Sequence, residues 1–206
     1  TFGNIDISAN ATSRELTIAG TGNTTVNGVI ADGSTSTLSS ILKSGSGILT
    51  LNGANTYRGS TFHTAGTIQI GNNAAFGTSL LWLLGDTILR GDGTARTIAN
   101  NTRIFGGGST NPLIISGSSD LTFTGAFGNL AQNRTVTVNN SGLTTFGDIN
   151  ISQDGTDRIL TINGTGNVVV GGVIANGSTS TASGLTKDGA GTLTLDGNNT
   201  YGGTTT

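Results

Sequence analysis

Short segments in which apolar and polar residues alternate run through the whole chain. Examples are IDIS from Ile5, LTL from Leu49, TVTV from Thr135 and LTL from Leu193. Alternation with a period of two places the apolar side chains on one face of a β-strand and the polar side chains on the other. No window of roughly 11 residues carries the apolar spacing of a helix. The pattern therefore predicts many short strands, each buried on one side.

Turn-forming dipeptides such as Asn27-Gly28, Asp92-Gly93 and Asn163-Gly164 separate these segments. They supply the positive φ angles that tight bends need. Such bends suit the hairpins of an antiparallel sandwich as well as the corners of a parallel β-helix. The turns alone do not distinguish the two architectures.

The chain also repeats itself over a long distance. Residues 1–62 align without a gap on residues 145–206, at a constant offset of 144, and 38 of the 62 positions are identical. Even the turns lack insertions, which is expected when each unit stacks on its neighbour and loop length sets the register. We therefore predict one continuous β-helix over residues 1–206, in which residues 1–144 form one full repeat and residues 145–206 begin a second copy.

Three features favour this all-β parallel solenoid over an array of antiparallel β-sandwich repeats. A shorter echo recurs 33 residues apart in both copies, from Leu16 to Leu49 and from Leu160 to Leu193. The outer period is longer than a typical sandwich domain, and no linker-like segment marks the boundary between copies. With coils of roughly 20 to 24 residues stacked about 4.8 Å apart, one period amounts to six or seven coils and near 30 Å.

Composition limits the partners. Thr, Gly, Asn and Ser make up more than half of the chain, and the net charge is −2 with 10% charged residues. A chain of this kind has no basic face for nucleic acid. Its longest apolar run, Leu80 to Leu84, is far shorter than a bilayer span, so we expect no direct membrane insertion of this segment. The chain has no Cys, and we expect no disulfide, no metal site and no cofactor.

Residues 39–70 and 183–206 read SSILKSGSGILTLNGANTYRGSTFHTAGTIQI and SGLTKDGAGTLTLDGNNTYGGTTT. Both resemble the passenger-associated strand repeat of bacterial autotransporters and related giant surface proteins. The resemblance covers about a quarter of the chain and implies a right-handed parallel β-helix outside the cell, at the surface, in a parent anchored to the outer membrane. The motif positions, expected to be structural, are Lys43, Gly45, Gly47, Leu49, Leu51, Asn55, Tyr57, Gly59, Lys187, Leu193, Leu195, Asn199, Tyr201 and Gly203.

Few residues suggest chemistry. We interpret the densest charged stretch as exposed ion pairs or, alternatively, as a glycan-contacting groove, because polysaccharide-cleaving β-helices use acidic and Arg clusters on a lateral face. His63 is the only His and has no nucleophile at a suggestive spacing, so we expect a surface or corner residue and no catalytic group. The charged stretch proposed as ion pairs or as a glycan-contacting groove contains Asp86, Arg90, Asp92, Arg96 and Arg103.

The aromatic residues allow two interpretations. Phe76 and Trp82, near the apolar run, are interpreted as core residues, with an exposed binding patch as the alternative. Tyr57 and Tyr201 occupy equivalent places in the two copies, where we expect the ring to cover the end of a coil while the hydroxyl stays in water.

Together these observations favour a structural or adhesive repeat module of a secreted or cell-surface bacterial protein, acting as a rigid rod-like stalk or passenger and not as an enzyme. The alternatives are a carbohydrate-binding or carbohydrate-active β-helix and a self-associating fibre module. The expected partners are neighbouring repeats of the same chain, with the chain itself, end to end, or a surface glycan or receptor as alternatives.

Overall fold

The computed structural model describes residues 1–33, 38–105, 113–129 and 132–206. In those residues the secondary structure consists of 23 short β-strands, numbered β1 to β23 in chain order, without a helix. The longest strand, β16, has 7 residues. Short strands are expected here because Gly, Asn and Asp interrupt every alternating segment.

The strands form three long sheets and one isolated pair. Sheet I contains β3 (Thr24–Val26), β6 (Ile48–Leu51), β8 (Gly66–Ile70), β10 (Thr87–Gly91), β13 (Leu113–Gly117), β16 (Arg134–Asn140), β19 (Ile159–Asn163) and β22 (Gly184–Lys187). Sheet II contains β2 (Glu15–Ile18), β5 (Ser40–Lys43), β7 (Thr61–His63), β9 (Leu81–Leu83), β12 (Thr102–Ile104), β15 (Phe127–Asn129), β18 (Ile149–Asn150) and β21 (Ile174–Ala175). Sheet III contains β11 (Arg96–Ile98), β14 (Leu121–Phe123), β17 (Thr144–Phe146), β20 (Val168–Val170) and β23 (Leu193–Leu195), and the pair is β1 (Ile5–Asp6) with β4 (Ile30–Ala31).

All ladders among the described strands are parallel. From β5 to β10 the chain alternates between sheets II and I, and from β11 onward it visits sheets III, II and I in turn. The structure is a β-solenoid of about 7 turns. The prediction of a parallel β-helix is confirmed, and the antiparallel sandwich is excluded for the described residues. Ladder partners are 19 residues apart at the shortest, Leu49 with Ile68, and 26 at the longest, Thr87 with Leu113.

The core is a set of apolar columns that run along the solenoid axis. In sheet I one column contains side chains that are ladder partners on successive coils, and all of them are fully buried: Leu49, Ile68, Leu89, Ile115 and Val138. Each buried Leu, Ile or Val stabilises the fold by about 1.5–3 kcal/mol relative to an exposed one. Burial therefore fixes which residue of each coil points inward, and so fixes the register.

Asn and Asp side chains connect the coils at the corners, where the ladders are interrupted. The Val29 N–H donates to Asn4 Oδ1 and the Ile48 N–H to Asn23 Oδ1, at 2.9 and 3.0 Å. The second copy repeats both bonds, from Val173 to Asp148 Oδ1 and from Thr192 to Asn167 Oδ1. A side-chain oxygen thus satisfies a backbone donor of the next coil that no strand partner reaches.

The two copies keep these contacts but lie on different faces of the solenoid. β2 belongs to sheet II, whereas its equivalent 144 residues later, β19, belongs to sheet I. The chain returns to sheet II six times between them, in β5, β7, β9, β12, β15 and β18, before it reaches β19. One copy therefore spans six full turns and about one third of another, because it ends one sheet further around the three-sheet solenoid.

Close approach between coils explains why the second glycine of the motif, Gly47, cannot carry a side chain without a shift of the backbone. A Cβ on Gly47 would lie 2.1 Å from the carbonyl oxygen of Gly22 on the preceding coil, whereas a Cβ on Gly22 would meet nothing within 4 Å. We expect Gly47→Ala to destabilise the fold by about 1–3 kcal/mol, because the backbone must shift to make room. Gly22→Ala is the matched control and should change the free energy of unfolding by less than about 0.5 kcal/mol. Urea denaturation measures both, and equal effects would contradict the close contact.

Candidate binding surface

The outward side of sheet II carries an apolar and aromatic row. Leu42, Phe62, Trp82 and Arg103 are successive ladder partners on β5, β7, β9 and β12. Their sequence neighbours Ile41, Leu81 and Leu83 point inward and are buried, so the alternation leaves the row facing solvent. The rings of Phe62 and Trp82 stack with their centroids 6.4 Å apart and their planes inclined by 25°.

The structure confirms one of the two predictions for aromatic residues near this face and contradicts the other. Phe76 is fully buried, so its interpretation as core is confirmed. Trp82 is half-buried and faces outward, so its interpretation as core is wrong. The run from Leu80 to Leu84 suggested a buried segment, but strand alternation sends every second side chain out regardless of its polarity.

The predicted charged cluster is spread around the solenoid. Arg90 lies in β10 of sheet I, Arg96 in β11 of sheet III and Arg103 in β12 of sheet II, while Asp86 is exposed at the corner before β10. Of this set, the structure brings Asp92 and Arg96 together, in an ion pair of 2.6 Å. The five residues therefore do not share one face, and contact of any of them with a glycan stays a prediction.

Local partners account for most of these charges. Hydrogen bonds from Arg96 hold the pKa of the Asp92 carboxyl below its usual range. Arg90 donates from Nη2 to Gln69 Oε1 on the preceding coil at 2.6 Å. Arg103 donates from Nη1 to the carbonyl oxygens of Thr102 and Ala126, and burial lowers its pKa. Arg103 is the member of the set that adjoins the aromatic row.

The only His lies inside the solenoid. His63 is fully buried on β7, where its Nε2 bonds the Gly66 carbonyl oxygen at 3.1 Å, so the expectation of a surface position is wrong. Burial, with the neighbouring Lys43 charge as a smaller cause, lowers the pKa of His63 to about 4. The sequence misled here because Thr61-Phe62-His63 places the polar residues inward and the aromatic one outward.

Lys43, the first motif residue, is also buried and is the inward ladder partner of His63. Its ammonium group donates to the carbonyl oxygens of Ser44, Gly45 and Ala65, at 3.2, 2.8 and 3.1 Å. These oxygens belong to the corners of two successive coils, so one cation holds two turns together. Gly45 has a φ of 76° and its equivalent Gly189 one of 73°, the left-handed conformation that the corner beneath the ammonium requires.

The Asn-Thr-Tyr part of the motif fills a corner where no strand of sheet III forms. Asn55 accepts from the Ile30 N–H at 2.8 Å and donates to the Ala75 carbonyl at 2.7 Å, so its amide spans three coils. Tyr57 is fully buried and bonds Thr61 Oγ1 at 2.5 Å, so the expectation of a wet hydroxyl is wrong for Tyr57. Burial raises its pKa.

The remaining motif residues follow the same plan. Leu49 and Leu51 are buried core residues of β6, and a Cβ on Gly59 would lie 2.4 Å from the Ser39 carbonyl oxygen. In the second copy Leu193, Leu195 and Tyr201 are half-buried and pack against the core, and Asn199 accepts from the Ile174 N–H at 2.8 Å. Gly203 repeats the close approach of Gly59, at 2.4 Å from the Ala182 carbonyl oxygen.

Within the described ranges, no three His, Asp or Glu side chains come together in an arrangement suited to a metal ion. The same residues contain no helix long and apolar enough to cross a membrane.

A parallel solenoid with a carbonyl-capping Lys, tight glycine corners and a buried Asn-Thr-Tyr corner defines a class of stacked strand repeats. Residues 41–70 and 185–206 match the family model described as passenger-associated-transport-repeat. The chain therefore carries repeats of the autotransporter passenger family, and the resemblance seen in the sequence is confirmed.

A comparison over most of the chain agrees. The chain is 31% identical over 213 residues to the adhesin BmaC autotransporter of Brucella suis biovar 1 (strain 1330), an alignment that covers 86% of this chain. The chain spans 6% of the length of that adhesin. No solved structure matches the chain.

The low pKa of His63 makes stability depend on pH. His63 takes up a proton near pH 6.5 in the unfolded chain and near pH 4 in the folded chain. The stability that the neutral His63 provides is therefore fully present above about pH 6.5 and is lost as the pH falls toward 4. The loss amounts to about 3 kcal/mol. We expect His63→Leu to remove this slope, since Leu occupies the next position of the column at Leu83. Urea midpoints between pH 7 and pH 4 measure it, and an unchanged slope in the variant would contradict the assignment.

The two motif lysines form a natural comparison. Lys43→Met leaves three corner carbonyls without their donor, and we expect a loss of about 1–3 kcal/mol. Lys187 is half-exposed and bonds the carbonyls of its own corner, from Asp188 and Gly189, so Lys187→Met should cost less than about 1 kcal/mol. Equal losses in urea denaturation would show that burial between coils is not the source of the effect.

Proposed function

We propose that this chain is a rod-forming, non-enzymatic segment of the surface-exposed passenger of a bacterial outer-membrane autotransporter adhesin. The observation that carries the proposal is the position of the boundary between copies. The second copy begins at Thr145, in the middle of β17, which pairs in parallel with β14 before it and β20 after it. A boundary inside a paired strand leaves no linker at which the rod could bend.

Contacts around the first residues of the second copy support stacking of further units. Phe146 is buried against Phe123 and Phe127, with ring centroids 5.5 and 5.1 Å away. Its equivalent in the first copy, Phe2, is 56% exposed and lines an apolar cavity of about 390 Å³ at the end of the solenoid, with Leu16 and Val26. Phe146 is therefore buried by the copy that precedes it, which supports direct stacking of one unit on another.

The adhesive part of the proposal rests on the similarity to the autotransporter adhesin and on the family repeats. A rod suits this role because it holds a binding surface away from the cell. With a net charge of only −2, the chain exerts little long-range attraction on other molecules. On the same grounds we propose that the segment lies outside the cell, in a parent protein held in the outer membrane.

The rod is tested by lengthening it. A chain in which residues 1–144 are followed by residues 1–206 should gain about 30 Å, since the added unit contributes six and a third turns at about 4.8 Å each. Small-angle X-ray scattering measures the length and the cross-section, and the cross-section should not change. A matched chain with about ten Gly and Ser residues between the units should scatter as two jointed bodies. Jointed scattering from the direct fusion would overturn the proposal.

A further inference from the structure

The outward row Leu42, Phe62 and Trp82, with Arg103 at its upper end, is hereafter the sheet II row. The fold does not require its apolar members. The equivalents of Leu42 and Phe62 in the second copy are Thr186 and Thr206, beside the identical motif residue Lys187. Two copies of one backbone thus accept either Thr or a large apolar side chain at these places. Leu42, Phe62 and Trp82 are half-buried on the outward face of sheet II. Because the second copy folds with Thr at two of these places, the row points to a ligand.

The size of the row restricts that ligand. Strands about 4.8 Å apart make the four-residue row roughly 15 Å long and one side chain wide, on the order of 200 Å². Stable protein interfaces bury about 800 Å² on each partner, so a protein held by this row alone would dissociate readily. A narrow, elongated, small molecule matches the row better.

The chemistry of the row restricts it further. Flat aromatic surfaces pack against the C–H faces of sugar rings, while hydroxyl and carboxylate groups need polar partners. Arg103 provides a cation at one end, held in place because Nη1 donates to two backbone carbonyls. A guanidinium group binds carboxylates with directed hydrogen bonds.

We infer that the sheet II row is a binding site for a short acidic oligosaccharide, whose sugar faces pack on Phe62 and Trp82 and whose carboxylate meets Arg103. The inference deepens the adhesive part of the proposed function and does not depend on the rod. It retains one residue of the charged set considered from the sequence, Arg103, and leaves Asp86, Arg90, Asp92 and Arg96 outside the site because they lie on other faces or corners.

The chain contains a built-in reporter, because Trp82 is its only Trp. Titration with tetragalacturonate and with sialyllactose should change the Trp emission saturably, and calorimetry should give the same dissociation constant. Maltotetraose, a neutral oligosaccharide, should bind at least tenfold more weakly. Absence of saturable binding to both acidic probes by both methods would overturn the inference while leaving the length of the rod unaffected.

Two variants test the residues. Phe62→Thr, which installs the residue of the second copy, and Arg103→Gln should each weaken acidic-oligosaccharide binding at least tenfold, with the unfolding midpoint showing that each variant is folded. Ile48→Thr is the matched control, because Ile48 faces outward on sheet I and its equivalent is Thr192. Equal weakening by Ile48→Thr would overturn the site. So would self-association in light scattering that Phe62→Thr abolishes, since the row would then bind a second copy of the chain.

Discussion

The structure depends on hydrogen bonds between successive coils. Each coil is too short and too polar to fold by itself, and its backbone groups find their partners on the coils before and after it. Where strands are absent, side chains continue the connection: Asn4, Asn23 and Asn55 each accept a backbone N–H from an adjacent coil, and the Lys43 ammonium joins two corners. Hydrogen bonds from polar side chains therefore help to hold the coils together, in addition to the packing of the apolar core.

This dependence explains why the interior contains ionisable residues. Lys43 and His63 are ladder partners whose side chains sit in the core column near a corner, where carbonyl oxygens of the bend need donors. The bend itself is tight because Gly45 adopts a left-handed conformation that other residues rarely adopt. A catalytic interpretation of either side chain has no support in this arrangement, since both are enclosed and bonded to backbone.

The sequence predicted the architecture better than the placement of individual side chains. Period-two alternation and the gapless repeat sufficed for the solenoid, because both follow from the backbone geometry of stacked coils. The 33-residue echo from Leu16 to Leu49 does not mark a coil: Leu16 pairs with Ile41 in sheet II, whereas Leu49 lies in sheet I. The predictions put Trp82 and His63 on the wrong side because polarity was the guide to direction, and strand parity overrides polarity. Tyr57 lies in a corner outside any strand, where its buried hydroxyl bonds Thr61. The sheet II row could not be found from the sequence, because its members become neighbours only through strand pairing between residues about 20 positions apart.

The third of a turn left over in each copy links the length of an array to its orientation. Because β2 and β19 occupy different sheets, gaining or losing one 144-residue unit by recombination would swing everything beyond it by about 120° around the axis, as well as moving it outward. Three units restore the original heading. A surface feature present once in each unit would therefore point in three directions around the axis in successive units.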